Sequence, residues 1–321
     1  MIRGTENRRL LRTVQLSAAA VHVLTFGLML YGVEPVATFY YSFAWWTYIL
    51  FLSSVNQLKR GNSLLFGSPR EFCFIFLLST PAWLIFELYN FRLENWHYVG
   101  IPAETFIRWP GYFIAYGTVL PGLFETEVFV RNFLISGPVR GRSIRVGRGV
   151  PARLALTGSL MMLAPLLQPR LFFPLVWLGG IFLLDPLLYR FGSSRDSLLR
   201  RAETGDYTLP LRLLAAGMIC GLLWEFWNFW AAAKWVYDIP FVDFLKVFEM
   251  PLLGFLGFPP FALECYLIYR AALLLRGASF PHRRFVVGGA ITLTVVLSGL
   301  VLAGIDRWTI HSYRQLPGIG F

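Results

Sequence analysis

Runs of about twenty apolar residues recur along the whole chain, and this restricts what it can fold into. In hydrocarbon every backbone N–H and C=O must be satisfied internally, and apolar runs of this length do so as membrane-spanning helices. Of the 321 residues, 56% are hydrophobic and only 15% charged, against about 25% charged in soluble domains. Nine spans are read: Leu10–Val33, Val36–Gln57, Phe72–Phe91, Gly111–Leu134, Arg153–Leu167, Leu171–Tyr189, Leu211–Ala233, Val247–Leu275 and Phe285–Ile305. The fifth is short. The eighth carries Gly254, Gly257, Pro259 and Pro260, which predicts a broken or partly re-entrant helix. The expected fold is all-α, a polytopic integral membrane protein of about nine transmembrane helices. No small-x-small cleavage pattern follows the first apolar segment, so it is read as a retained span rather than a signal peptide.

The net charge of +11 invites a nucleic-acid reading, but its distribution argues otherwise. With a cytoplasmic N-terminus, alternate connections hold most of the 29 Lys and Arg residues, for example Arg140, Arg142, Arg145 and Arg148 in one loop. This is the positive-inside pattern. It predicts an inner-membrane protein with its N-terminus in the cytoplasm and its C-terminus on the outer side. No nucleic-acid motif accompanies the charge, and no nucleic-acid partner is expected. Cys73, Cys220 and Cys265 all fall inside apolar spans and are read as core packing residues.

The chain also repeats itself. Shifted by 139 positions, Trp96 falls on Trp235, Tyr98 on Tyr237, Glu104 on Asp243, Pro121 on Pro260, Glu125 on Glu264 and Arg131 on Arg270. Shifted by 138, Glu87 meets Glu225 and Asn90 meets Asn228. Lys59–Leu65 echoes Arg190–Leu199 more weakly. Each copy holds four spans, an even number, so two parallel-oriented four-helix repeats are expected about a pseudo-twofold axis along the membrane normal. Residues 1–139 form the first repeat, 140–276 the second, and 277–321 a final transmembrane helix with a short outer tail. Apolar positions have drifted between the copies, whereas Glu, Asn, Trp, Tyr and Pro have stayed.

These kept residues define the candidate site. Glu87 and Glu225 lie about one turn inside the outer membrane boundary, with Asn90 and Asn228 on the same helix faces three residues on. The connection after each helix carries W-x-Y and a second acid: Trp96, Tyr98 and Glu104, then Trp235, Tyr237 and Asp243, with Glu249 nearby. Two such clusters around one axis would line an outward-facing or laterally open pocket. Glu87, Glu225, Glu104 and Asp243 are its candidate acids. Asn90, Asn228, Trp96, Tyr98, Trp235, Tyr237 and Glu249 are its candidate binding residues. Glu125 and Glu264 sit roughly 20 Å below the outer boundary at 1.5 Å per residue and form a second layer. A carboxylate at membrane depth costs about 2.5 kcal/mol or more. The bland alternative is that each Glu hydrogen-bonds its own cluster and locks helices together. Asp185, before Pro186, is read as helix-break chemistry, and Gly217-x-x-x-Gly221 as a close helix contact.

What is missing narrows the chemistry. The four histidines, His22, His97, His282 and His311, form no H-x3-H cluster, and no aspartate-rich diphosphate motif, serine-nucleophile motif, H-E-x-x-H or Walker loop is present. Neither a metal nor a cofactor is expected; the oligomeric state stays open. What remains is carboxylic acid in aromatic surroundings. A carboxyl group in an apolar pocket is held neutral because its charged form is desolvated, and Trp and Tyr faces stabilise a cation.

The stretches WHYVGIPAETF (Trp96–Phe106) and WVYDIPFVDF (Trp235–Phe244), in tandem in one membrane chain, resemble the lycopene cyclase domain family of bacteria, archaea and fungi. That resemblance covers about 80 residues in two pieces. It implies redox-neutral cyclisation of a polyene end, with acidic residues taking part in protonation. Glu104 and Asp243 stand where the family carries a doubled acid, but here Thr105 and Phe244 follow them.

Three functions therefore compete: a metal-free enzyme acting on an isoprenoid, carotenoid-like or other membrane lipid (cyclase, isomerase or hydratase type), a proton-coupled transporter of a small or amphipathic solute, and a structural or lipid-binding membrane protein.

Overall fold

A computed structural model describes residues 2–193, 196–277 and 283–316; His282 lies outside them. The chain is mostly helical. Helices α1 (Ile2–Leu30), α2 (Val36–Arg60), the single turn α3 (Leu64–Gly67) and α4 (Pro69–Leu93) lead into two short strands, β1 (Trp96–Val99) and β2 (Ile101–Pro102). Next come α5 (Thr105–Tyr116) and α6 (Val119–Phe129), whose last turn widens over Val130–Leu134. The second half has α7 (Val150–Leu167), α8 (Pro169–Phe172), α9 (Val176–Phe191), α10 (Leu198–Glu203) and α11 (Thr208–Trp230). Strands β3 (Lys234–Tyr237), β4 (Lys246–Val247) and β5 (Met250–Pro251) follow, then a 3-10 turn (Leu252–Gly257), α12 (Phe258–Gly277), α13 (Arg283–Trp308) and β6 (Tyr313–Arg314).

Eight helical segments among the described residues are long and apolar enough to cross a membrane, so the chain is a multi-pass membrane protein. The remaining expected span, Val36–Gln57, lies in the 25-residue helix Val36–Arg60, which is not apolar enough to be among them. Its Tyr, Trp, Ser and Asn residues lower its hydropathy and serve packing instead. Trp45 is 2% exposed and its ring lies 4.9 Å from that of Trp227. The expected break in the eighth span is found as the 3-10 turn that precedes α12.

Helices in lipid gain little from hydrophobicity against one another, so close packing at small residues holds them. A Cβ on Gly217 would meet the Phe258 carbonyl at 2.5 Å, and one on Gly158 the Leu183 amide at 2.4 Å. These glycines set the α11–α12 and α7–α9 contacts. Cys220 and Cys265 are buried, as expected of packing residues, but Cys73 is exposed on the helix surface.

One end of the bundle is roofed by β-structure that an all-α reading misses. β1 pairs antiparallel with β3, with Trp96 opposite Tyr237 and Tyr98 opposite Trp235. The two W-x-Y motifs thus face each other directly. Strand alternation turns Trp96 and Tyr98 inward, while His97 faces away, bonded to Asp238 at 2.9 Å and stacked on His311 at 3.9 Å. Gly100 follows at φ +65°, and a Cβ there would meet the Ala232 carbonyl at 2.3 Å, so only glycine fits this turn.

The chain after α13 docks on the same roof. Tyr98 N–H donates to the Thr309 carbonyl at 2.7 Å, and His311 N–H to the Tyr98 carbonyl at 2.8 Å. Asp306, near the end of α13, receives both edges of the Arg108 guanidinium at 2.8 Å each, together with Trp109 Nε1 at 2.9 Å. Arg108 also donates to the Pro102 and Ala103 carbonyls. The final helix is therefore tied into the roof by a buried ion pair.

Candidate functional site

Beneath the paired strands lies a cavity of about 350 Å³. Its wall is nearly all ring and aliphatic carbon, with Trp83, Trp96, Trp177, Trp224, Trp235 and Phe261 in the lining. The ring planes of Phe86 and Trp177 are stacked, 5.1 Å apart. Trp83 and Trp224 approach to 5.2 Å and close the space between α4 and α11. The remaining rim is the 3-10 turn, where Leu253 and Leu256 are 54% and 66% exposed, so the cavity has an apolar mouth on the side of the bundle.

Glu87 and Glu225 lie just behind this wall, both fully buried. Glu87 Oε1 accepts three hydrogen bonds, from Trp83 Nε1 at 2.8 Å, Trp96 Nε1 at 3.2 Å and the Tyr98 hydroxyl at 2.5 Å. Glu225 Oε1 accepts one, from the Tyr237 hydroxyl at 2.8 Å. In both residues Oε2 has no partner among the described residues, which is uncommon for a buried polar atom. Tyr98 and Tyr237 line the cavity and connect it to the acids. Burial pushes both phenols well above the ordinary tyrosine range, and the neighbouring glutamates push them further, so each stays a neutral donor.

The two asparagines do not reach the cavity. Asn90 Nδ2 donates to the Trp96 carbonyl at 2.7 Å, and its Oδ1 accepts from the Asn95 and Trp96 amides. Asn228 repeats this with the Trp235 carbonyl and amide, at 2.8 and 3.0 Å. Each latches its W-x-Y strand onto the end of the helix that carries its Glu. The second acids are also elsewhere. Glu104 stands at the start of α5, Asp243 is 41% exposed and paired with Lys246 at 2.7 Å, and Glu249 pairs with Lys234 at 2.5 Å. None of the three is in the cavity wall. They follow W-x-Y closely in sequence, but the turns after β1 and β3 carry them away from it.

Glu125 and Glu264 touch neither Glu87 nor Glu225, and they differ from each other. Glu125 is saturated: Ser53 Oγ, the Leu64 and Leu65 amides and Asn56 Nδ2 all donate to it. It caps α3 from inside the bundle. In the second half that capping is done by Asp185, which accepts from the Leu198 and Leu199 amides at 2.6 and 2.9 Å. Glu264 is left packed against Gly180, with Oε2 unpartnered.

Sequence reasoning missed Trp83, Tyr116, Arg108 and Asp306. Trp83 carried a signal, since it precedes Glu87 by one helical turn. Tyr116 donates to the Tyr98 hydroxyl at 3.0 Å, a contact that no local spacing announces. Compared with protein-family models, curated proteins and solved structures, the chain matches none.

Proposed function

We propose that the protein is a metal-free acid–base enzyme of the membrane, acting on an isoprenoid, carotenoid-like or other lipid by cyclisation, isomerisation or hydration. The observation that carries this reading is the pair of carboxyl–tyrosine contacts at the wall of one aromatic cavity. A volume of about 350 Å³ lies in the range of small-molecule sites, roughly 300–1,000 Å³, and suits one end of a long apolar chain whose remainder lies along the apolar mouth. The tandem halves, 1–139 and 140–276, would each supply one acid about a pseudo-twofold axis. The basic connections favour a cytoplasmic N-terminus in an inner membrane, with the strand roof on the outer side.

In the proposed chemistry the Tyr98 or Tyr237 hydroxyl, which lines the cavity, gives its proton to an alkene carbon and takes one from the Glu87 or Glu225 carboxyl group it contacts, leaving a carboxylate and a carbocation. The faces of Trp83, Trp96, Trp224 and Trp235 stabilise the cation. A carboxylate then removes a proton from a neighbouring carbon, or from a water as it adds to the cation, and no electrons leave the substrate. Chromatography and mass spectrometry of lipids from cells making wild type, Glu87→Gln or Glu225→Gln test it. Chromatography is needed because cyclisation preserves mass. The reading expects a lipid species present with wild type and lost in at least one variant; identical profiles in all three would overturn it. Glu264, isolated at membrane depth, favours the alternative of proton-coupled transport, for which uptake driven by a pH gradient and lost in Glu264→Gln is the distinguishing result.

A further inference from the structure

A second cavity of about 80 Å³ lies across a partition from the first, and Trp83, Tyr98, Trp224 and Trp235 belong to both walls. The small cavity differs in character. Most of its surface is carbon, but Thr38, Ser42, Arg108, Tyr112 and Lys234 belong to its lining, and Lys234 is 24% exposed. A water needs a space of about 10–15 Å³ for its centre, and this chamber is several times larger. Trp235 Nε1, in the shared wall, is buried without an acceptor, as an indole served by a water or a ligand would be.

From this chamber a hydrogen-bonded chain of hydroxyls runs to Glu87. Tyr112 and Tyr116 line the chamber with parallel rings 5.7 Å apart. Tyr116 donates to the Tyr98 hydroxyl at 3.0 Å, and Tyr98 donates to Glu87 Oε1 at 2.5 Å. Both bonds point the same way. The corresponding positions in the second half, by the 139-residue shift, are Pro251 and Phe255, which have no hydroxyl. Tyr41 also lines the chamber, its ring 5.1 Å from that of Trp235, but the hydroxyl that bonds Glu225 is that of Tyr237, which lines the larger cavity.

We propose that the small cavity, Tyr116 and Tyr98 form a proton path that equilibrates Glu87 with water at the roof end of the bundle, and that Glu225 has no such path. In one transfer Tyr98 passes its hydroxyl proton to a Glu87 carboxylate at Oε1, Tyr116 replaces it, and a water in the chamber replaces that of Tyr116. Hydroxide left in the chamber is neutralised from bulk water, so the phenols end unchanged and Glu87 gains one proton. The assignment of Glu87 as a working acid rests on the function proposed above, but the path itself does not require turnover.

Infrared spectroscopy of the full chain in lipid nanodiscs, transferred from H2O to D2O without substrate, tests it. The carboxyl C=O bands are assigned by their loss in Glu87→Gln and Glu225→Gln. The expected result is that the Glu87 band shifts about tenfold or more faster than the Glu225 band, and that Tyr116→Phe slows the Glu87 band by a similar factor while leaving Glu225 unchanged. Equal rates for the two acids, indifference of Glu87 to Tyr116→Phe, or absence of a protonated Glu87 band at every pH the fold survives would overturn the path. If exchange behaves as expected but lipid profiles never change, the enzyme reading fails and the path stands. If Glu87→Gln abolishes a product but Tyr116→Phe does not slow exchange, the reverse holds.

Discussion

Glu87 and Glu225 end equivalent helices and meet equivalent tyrosines, yet their surroundings differ. Glu87 is held by two indoles and a phenol that a second phenol supports. Glu225 has one phenol. What the two halves share is the minimum needed to build the roof: a Glu under a Tyr, and an Asn that pins the strand. What they do not share is Trp83, opposite Gly221 in the alignment, and Tyr116, opposite Phe255. Gly221 is small because the Phe258 ring fills its place; a Cβ there would lie 2.3 Å from that ring. The second half thus has packing around the larger cavity where the first half has polar support. The same division separates Glu125, saturated with donors, from Glu264, which lost them to Asp185.

The largest effect expected lies where the halves have no counterpart at all. Asp306→Asn leaves the Arg108 guanidinium buried without its charge partner, and breaking such a pair costs about 3–5 kcal/mol. Thermal unfolding in a fixed detergent should show a strong loss, and limited proteolysis should cut the chain after α13. The deep acids come next. Glu125→Gln turns an amide N–H₂ towards existing donors and is expected to destabilise by about 2–3 kcal/mol, whereas Glu264→Gln should stay within about 1 kcal/mol. Equal losses would erase the distinction between them. The latches differ less. Asn90→Ala leaves two amides and a carbonyl unpaired, Asn228→Ala one of each, so the first should cost about 1 kcal/mol more in the same unfolding measurement. Trp83→Phe removes one of three donors to Glu87 and keeps a ring in the partition; a loss of about 1 kcal/mol or less is expected, with no change in the Glu225 infrared band.

Much of this architecture is legible in the sequence because it depends on local spacing. The apolar runs give the helices, and the positions kept between the halves lead to Glu87, Glu225 and both W-x-Y motifs. Other features depend on contacts between distant segments. Nothing in Arg108 or Asp306 alone reveals that they meet, nor that the strands pair Trp96 with Tyr237. The asparagines share a helix face with the glutamates, which suggested a shared pocket. In the folded chain, the turn after each helix brings backbone amides within reach first, and those amides take the side chain. Glu104 and Asp243 show the limit of reading along the chain, since closeness to W-x-Y in sequence places neither in the cavity. Val36–Arg60 shows a related limit: a helix enclosed by other helices can carry Ser53, Ser54 and Asn56 fully buried and still belong to the bundle.

The central claim is that an acid beside the aromatic cavity protonates carbon. Incubating the purified protein with membrane lipid in D2O and locating deuterium in the products by mass spectrometry tests it most directly. The account predicts solvent deuterium on carbon in a lipid formed only with wild type, and its loss in Glu87→Gln with Glu225→Gln as the paired comparison. Wild type that leaves every lipid unlabelled and unchanged would contradict it.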